Sequence, residues 1–403
     1  MREPDPFRRR RWSPIVRYRL LPWWGRVVLV YAAARAVTTA MVLALASVQG
    51  ANAWTGASPG YFAYANMWDS RWYEIIAYSG YPAELPVTDD GHVAENEWAF
   101  MPVFPVLARI VMLVGVPWSV ASVIVAVAAG LGAALVFHRL ISRFLAPDQA
   151  MFAVVLFSVA PASPIMQFGY AESLSLLLLA AALLLLVDRR YGWLVPVIAA
   201  WSFTRPGALA FALTLGLHWT VRWFTRARDP FPVRDRVVVA SVAAFAALAG
   251  LAWAGIAWAA TGVASAYTDT ELAWRSAYIG HQELVPFTAW FQSGDWWLGQ
   301  PLGTVAVIAV VGLFALALWS PWVRRLGVDV RLWLGSYALY LLAVFFPQSS
   351  TFRILAPMFP ILGALAVPRS RVWRWSLVVV FLLLQLGWLL IAWGIDGRDW
   401  TPP

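Results

Sequence analysis

The chain has 403 residues, 61% of them hydrophobic and 13% charged, with a formal net charge of +9. Soluble domains are about half apolar and a quarter charged, so this composition excludes an ordinary globular protein and points to a polytopic membrane protein. Cysteine is absent and all 30 basic residues are Arg. Disulfides, thiolate nucleophiles, cysteine-ligated metals and lysine Schiff bases are therefore excluded.

Residues 1–26 carry eight Arg and read as a basic cytoplasmic arm that touches anionic lipid. They have no apolar core, so they do not read as a cleavable signal peptide. Val27–Val48 is the first crossing, since a bilayer needs ~20 mostly apolar residues. Residues 49–118 then form a long external loop, poor in charge and rich in aromatics. Within it, helical spacing over Trp68–Ser79 puts Trp68, Trp72, Ile75, Ile76 and Ser79 on one side and Asp69, Arg71 and Glu74 elsewhere. That pattern predicts an amphipathic helix at the membrane surface. Ala99–Val116 is apolar but broken by Pro102 and Pro105, and reads either as a crossing or as a half-immersed surface helix.

Charge chooses between those two. If Ala99–Val116 does not cross, the later basic loops fall consistently on one side. Crossings then follow at 118–137, 151–163, 170–187, 192–203, 206–221, 237–260, 303–319, 332–346, 354–367 and 377–394. This places 23 Arg inside and five outside, while 14 of the 21 acids lie outside. The asymmetry predicts an all-α bundle of about eleven transmembrane helices with the N-terminus inside and a short external tail. The chain divides into the arm, an N-terminal membrane module (27–260) holding the first loop, a large external loop (261–302) and a C-terminal set of helices (303–403). The net positive charge belongs to this topology signal, not to nucleic-acid binding.

Charges at bilayer depth are costly and mark sites, paths or paired partners. The outer ends collect Asp69, Arg71 and Glu74; Glu95 and Glu97; Glu172, which heads a crossing after Tyr170; Arg205; Asp269, Glu271, Arg275, His281 and Glu283; and Arg353. Compact packing would gather them into one polar cleft at the outer surface. Taken singly, Asp69 also fits an N-cap or a partner for Arg71, and Arg205 and Arg353 fit snorkelling boundary residues. His92 and His281 make no metal-ligand spacing, and the Glu95/Glu97 pair reads as a solvated loop. No phosphate-binding loop, dinucleotide fingerprint or hydrolase elbow occurs.

Trp68-Asp69-Ser70-Arg71-Trp72-Tyr73, Ile76-Ala77, Gly80-Tyr81 and Ala99-Phe100-Met101-Pro102-Val103-Phe104-Pro105 together resemble the first-loop signature of PIG-V-type mannosyltransferases. Pro161 to Tyr170-Ala171-Glu172-Ser173-Leu174 resembles that family's second signature. Arg205-Pro206-Gly207 resembles its Arg-x-x-Gly segment with one residue missing. Met101 and Ala171 depart from the pattern, at a Phe and a hydroxyl position. The resemblance covers residues 27–219 and extends to the C-terminal half by layout only.

The resemblance implies a GT-C glycosyltransferase, a polyprenyl-phosphate-mannose donor used at the outer face, and inversion at the anomeric carbon. It maps the catalytic acid of the first loop onto Asp69. The chemistry fits the residues independently. Inverting transfer needs one carboxylate to take the acceptor hydroxyl proton. A lipid-phosphate leaving group needs Arg or His at the membrane boundary, where Arg forks to phosphate oxygens. Arg353, Arg205 and His281 are the candidates for that role. Arg71, Trp72, Tyr73, Tyr170 and Glu172 are candidates for orienting the site or the acceptor.

Asp69 is followed by Ser70, so a two-carboxylate metal clamp is missing. This favours a metal-independent reaction, with a divalent cation left open. The expected partners are the lipid-borne donor, a membrane glycolipid, lipoglycan or glycoprotein acceptor, and the bilayer. Glucose or arabinose donors, and a lipid or glycan transporter, remain alternatives. The Ala-rich, all-Arg composition suggests a GC-rich bacterial chain, with the plasma membrane as its place.

Overall fold

The computed structural model describes residues 18, 20–394 and 403. Most of the basic arm and the external tail therefore lie outside the described residues. Among those described, no β-strand forms, and the only pairing of that kind is an isolated antiparallel bridge between Val87 and Val93. The architecture is an all-α membrane bundle.

The longer helices are α1 (Trp23–Val48), α2 (Asp69–Ser79), α3 (Val103–Met112), α4 (Trp118–Ile141), α5 (Pro147–Val159), α6 (Glu172–Val187) and α7 (Leu194–Ser202). They continue with α8 (Ala208–Thr225), α9 (Val233–Thr261), α10 (Ala266–Ile279), α11 (Ala289–Leu298), α12 (Leu302–Leu318), α13 (Gly327–Val344) and α14 (Arg371–Ala392). Five of these, α1, α4, α9, α13 and α14, are long and apolar enough to cross a bilayer.

The other expected crossings are shorter or broken. Helix α3 has 10 residues, about 15 Å of rise against a ~30 Å hydrocarbon core, so it does not span. Its tail exposes Leu113 and Val114 to about 80%, as suits a half-immersed segment. The crossing expected at 354–367 is three short turns, Thr351–Ile354, Ala356–Ile361 and Leu362–Leu365. Pro357 and Pro360 explain this, since each removes a backbone donor from the helix ladder. Residues 261–302, expected as a large external loop, contain α10 and α11.

The bundle holds its polar interior by pairing. Arg35, near the middle of α1, is buried, and no carboxylate pairs with it among the described residues. It donates instead to the Ser158 carbonyl (2.6 Å), the Ser163 carbonyl and the Ser163 hydroxyl (3.0 Å). These acceptors lie at and just beyond the C-terminal end of α5, where the helix dipole is negative. The same staple fixes the segment that leads to Tyr170 and Glu172.

Candidate active site at the helix ends

Helix α2 supplies Asp69 as its first residue. Trp68, just before it, has φ +60°, an uncommon conformation for a bulky side chain. It is held there by its indole, which donates to the Ala392 carbonyl at 2.9 Å, so α14 anchors the start of α2. The buried face of α2 comprises Asp69, Ser70, Tyr73, Ile76 and Ala77. Spacing alone put Asp69 away from the apolar side. The structure turns it inward, because a charged partner waits there.

That partner is Arg353. Its Nη1 pairs with Asp69 Oδ2 and lies 3.3 Å from Glu172 Oε1. Arg205 Nη2 lies 2.5 Å from the same Glu172 oxygen. Two carboxylates and two guanidiniums thus form a contiguous chain, Asp69–Arg353–Glu172–Arg205. The four side chains are only 6–15% exposed. Glu172 is also the first residue of α6, where the positive end of the helix dipole favours a carboxylate. Arg353 lies over the Tyr170 ring at 5.6 Å, and the Tyr170 hydroxyl donates to the Met67 carbonyl at 3.0 Å. Tyr73 is fully buried against Phe100 and Phe104. Its hydroxyl, Arg353 Nε and Glu172 Oε2 make no hydrogen bond among the described residues.

Small residues let these segments meet. The Gly169 amide donates to the Ala65 carbonyl at 3.0 Å. A Cβ on Gly169 would collide with Ser70 Oγ and lie 2.5 Å from Asn66 Oδ1. Only glycine lets the stretch of chain before Glu172 lie against the stretch before Asp69. Gly207 does the same beside Arg205, where a Cβ would come within 2.7 Å of the Trp201 ring. The Val103 amide donates to the Phe203 carbonyl at 2.9 Å, tying the Pro-rich segment to the Arg205 loop.

The remaining candidates lie apart from the quartet. Arg71 is 61% exposed and pairs with Glu74 at 2.7 Å on the outer side of α2. Trp72 stacks on Phe100 and meets Trp274 edge-on. His281 stacks on His92 at 4.0 Å and lines an outer cavity with Trp72, away from Arg353 and Arg205.

One acid that the sequence places among the cleft charges without a role lies near the quartet. Glu271 of α10 lies within electrostatic reach of Arg205, Asp69 and Arg275, with Tyr267 beside it. The residue keeps solvent-exposed surface, yet protein crowds its carboxylate. That loss of bulk solvation raises its pKa to about 7, against the pull of Arg205. The signal for Glu271 lay in its spacing from Arg275, one helical turn away, in a segment that reads as loop. No group of three or more His, Asp or Glu that would hold a metal occurs among the described residues.

No family model and no curated protein matches the chain. Solved structures of similar shape include ArnT from Cupriavidus metallidurans bound to undecaprenyl phosphate, at 14% identity and a TM-score of 0.49, covering 88% of this chain and 62% of that one. The apo form of ArnT gives 14% identity and a TM-score of 0.44 over the same shares. An oligosaccharyltransferase of Archaeoglobus fulgidus, tethered with an acceptor peptide, gives 11% identity and a TM-score of 0.41, covering 93% of this chain and 56% of that one. The chain thus spans less than two thirds of the length of these structures.

Proposed function

We propose that the chain is an inverting glycosyltransferase that moves a sugar, mannose in the first instance, from a polyprenyl-phosphate donor to a membrane-anchored glycan at the outer face. The observation that carries this reading is the buried Asp69–Arg353–Glu172–Arg205 chain at the helix ends. It combines a carboxylate, needed as base, with two guanidiniums suited to a phosphate. Of the motifs that resemble PIG-V-type enzymes, the first-loop one holds Asp69, the second Glu172 and the third Arg205; Arg353 lies beyond them.

On this reading the resting ion pair is a lock on the base. Asp69 Oδ2 is occupied by Arg353 Nη1 and is not free to meet an acceptor hydroxyl. The donor phosphate takes over the guanidinium, and Asp69 is released towards the acceptor. The acceptor oxygen then attacks the anomeric carbon as its proton passes to an Asp69 carboxylate oxygen. The bond from the anomeric carbon to the phosphate oxygen breaks, and its electron pair leaves with polyprenyl phosphate. Arg353 and Arg205 hold the charge that develops there, and Glu172 keeps the two guanidiniums aligned.

The test is transfer from a panel of radiolabelled polyprenyl-phosphate sugars into a membrane lipid extract, wild type against Asp69→Asn. Product with wild type from one donor, and none with the variant, is expected. Near-normal turnover of Asp69→Asn would remove Asp69 from the role of base. Movement of lipid or glycan across vesicles without any product would replace the reading with transport.

A further inference from the structure

Above Trp72 lies a cavity of about 380 Å³ that the quartet does not use. The chain from Thr88 to Glu95 forms one wall, and α10 with the turn at His281 forms the other. The two walls are joined by Asn96, whose amide donates to the Thr270 hydroxyl at 2.8 Å. The size falls within the range of small-molecule sites, roughly 300–1,000 Å³.

The lining is chemically mixed in a particular way. Trp72 supplies a flat apolar plate, fixed by stacking on Phe100 at 5.9 Å and by the edge contact with Trp274 at 5.8 Å. Around it stand two hydroxyls (Thr88, Ser276), one carboxylate (Glu95) and one imidazole (His281). Among the described residues no Arg lines the cavity, so it does not suit a phosphate. It also lacks the long apolar walls that a lipid tail needs. A rigid aromatic face ringed by short donors and acceptors suits a ring with C–H groups on its faces and hydroxyls on its rim.

The cavity is also next to the site. Trp72 follows Asp69 by one helical turn on α2. Glu95 feels Asp69 directly: protein packed around it, and the like charge of Asp69, both raise its pKa. The cavity thus opens beside the helical turn that carries the base.

We propose that this cavity is the acceptor subsite, that its occupant is a neutral saccharide ring lying on Trp72, and that Glu95 and His281 bind its hydroxyls. The inference rests on the transfer reading, since it names the group that Asp69 deprotonates. It predicts a sugar acceptor rather than a peptide side chain or a bare lipid alcohol.

The test uses the full-length protein in lipid nanodiscs with methyl α-mannoside, methyl β-glucoside and methyl β-galactoside as soluble probes. Binding is read by saturation-transfer NMR, and competition is read in the transfer assay. At least one glycoside should bind wild type and compete with acceptor. Trp72→Ala should weaken that binding about 10-fold or more, and Trp72→Phe, which keeps an aromatic plate, by no more than about 3-fold. The acceptor KM should rise in parallel while the donor KM stays put. Because Trp72 also packs on Phe100, Glu95→Gln serves as the second variant. It sits on an exposed wall and should weaken glycoside binding without loss of fold.

Absence of glycoside binding to wild type, or binding insensitive to both Trp72→Ala and Glu95→Gln, overturns the proposal. Competition by peptides or lipid alcohols alone, with Asp69-dependent transfer intact, overturns it and leaves the transfer reading standing. Glycoside binding at Trp72 with no transfer from any polyprenyl-phosphate sugar overturns the transfer reading and leaves the saccharide site.

Discussion

Asp69→Asn should abolish turnover and, at the same time, tighten donor binding. In the resting protein Arg353 is engaged by Asp69 and lies 3.3 Å from Glu172. A donor phosphate must displace the first contact before it can fork onto the guanidinium. Both partners are at most 10% exposed, so water does little to offset the loss. A hydrogen bond to a charged group is worth about 1.5–3 kcal/mol net, which corresponds to roughly 10- to 150-fold in affinity. The amide in the Asp69→Asn variant would keep the shape but carry no charge, and the donor would no longer work against that term. It would also no longer meet the repulsion of a nearby carboxylate. The assay is equilibrium binding of a radiolabelled polyprenyl phosphate to purified protein, with Arg353→Gln as the opposite control. Wild-type or weaker affinity in Asp69→Asn would refute the argument that the ion pair competes with the phosphate. An unchanged affinity in Arg353→Gln would refute the assignment of the guanidinium to the donor.

Other consequences can be checked by the same means. Gly169→Ala drives a Cβ into Ser70 Oγ and to 2.5 Å from Asn66 Oδ1, so it should cost about 1–3 kcal/mol and lower both Tm and turnover. Wild-type stability in that variant would show that the two segments are not held together there. Arg71→Ala removes only a one-turn ion pair on a side chain that is 61% exposed, so stability should change by no more than about 0.5 kcal/mol. Donor affinity should stay unchanged in the same variant; a large shift in it would place Arg71 inside the site. Glu271, with its pKa raised to about 7, is protonated in acid and becomes a carboxylate facing Arg205 as the pH rises through that value. Donor KM should therefore rise above neutrality, and Glu271→Gln should flatten the profile. The linked stability runs the same way. The contribution from protonated Glu271 is complete below the ordinary value of 4.5 and is lost by the time the pH passes 7. A donor KM that falls with rising pH, or an unaltered profile in the variant, would contradict the placement.

The long helices were legible because a bilayer imposes a length and an apolar composition on whatever crosses it. α1, α4 and α9 start and end within a few residues of the limits set by hydropathy. The short crossings were less so. α7 and the turns around Pro357 and Pro360 are half-buried against other helices, where backbone breaks can be met by neighbours. Asp69, Glu172, Arg205 and Arg353 stood out because each is a charge at an apolar segment's outer end, and the structure brings all four into one chain. Their pairing was not legible, since it joins residues 284 positions apart. Helical spacing alone put Asp69 on the wrong side of α2, because periodicity weighs a carboxylate as polar whether or not an Arg waits inside. His281 looked equivalent to the two Arg by type and by side of the membrane. Only the path of the outer loop separates it from them and puts it beside His92.

The charge balance of the quartet fits the proposed reaction from start to finish. At rest, two carboxylates and two guanidiniums cancel, which is what a buried cluster near lipid requires, since unpaired buried charges are costly. A polyprenyl-phosphate sugar is a phosphodiester and brings one negative charge. Transfer turns the phosphate into a monoester, which gains a second negative charge as the sugar leaves. The proton that Asp69 accepts in the same step removes one negative charge from the quartet. The total is therefore conserved while the charge moves towards the two Arg. Product phosphate is then held more strongly than donor phosphate, so the step that resets the enzyme is loss of the Asp69 proton. Asp69 can then reclaim Arg353 and push the product out. On the proposed reaction, the ion pair that holds Asp69 before transfer is also what displaces the leaving group after it.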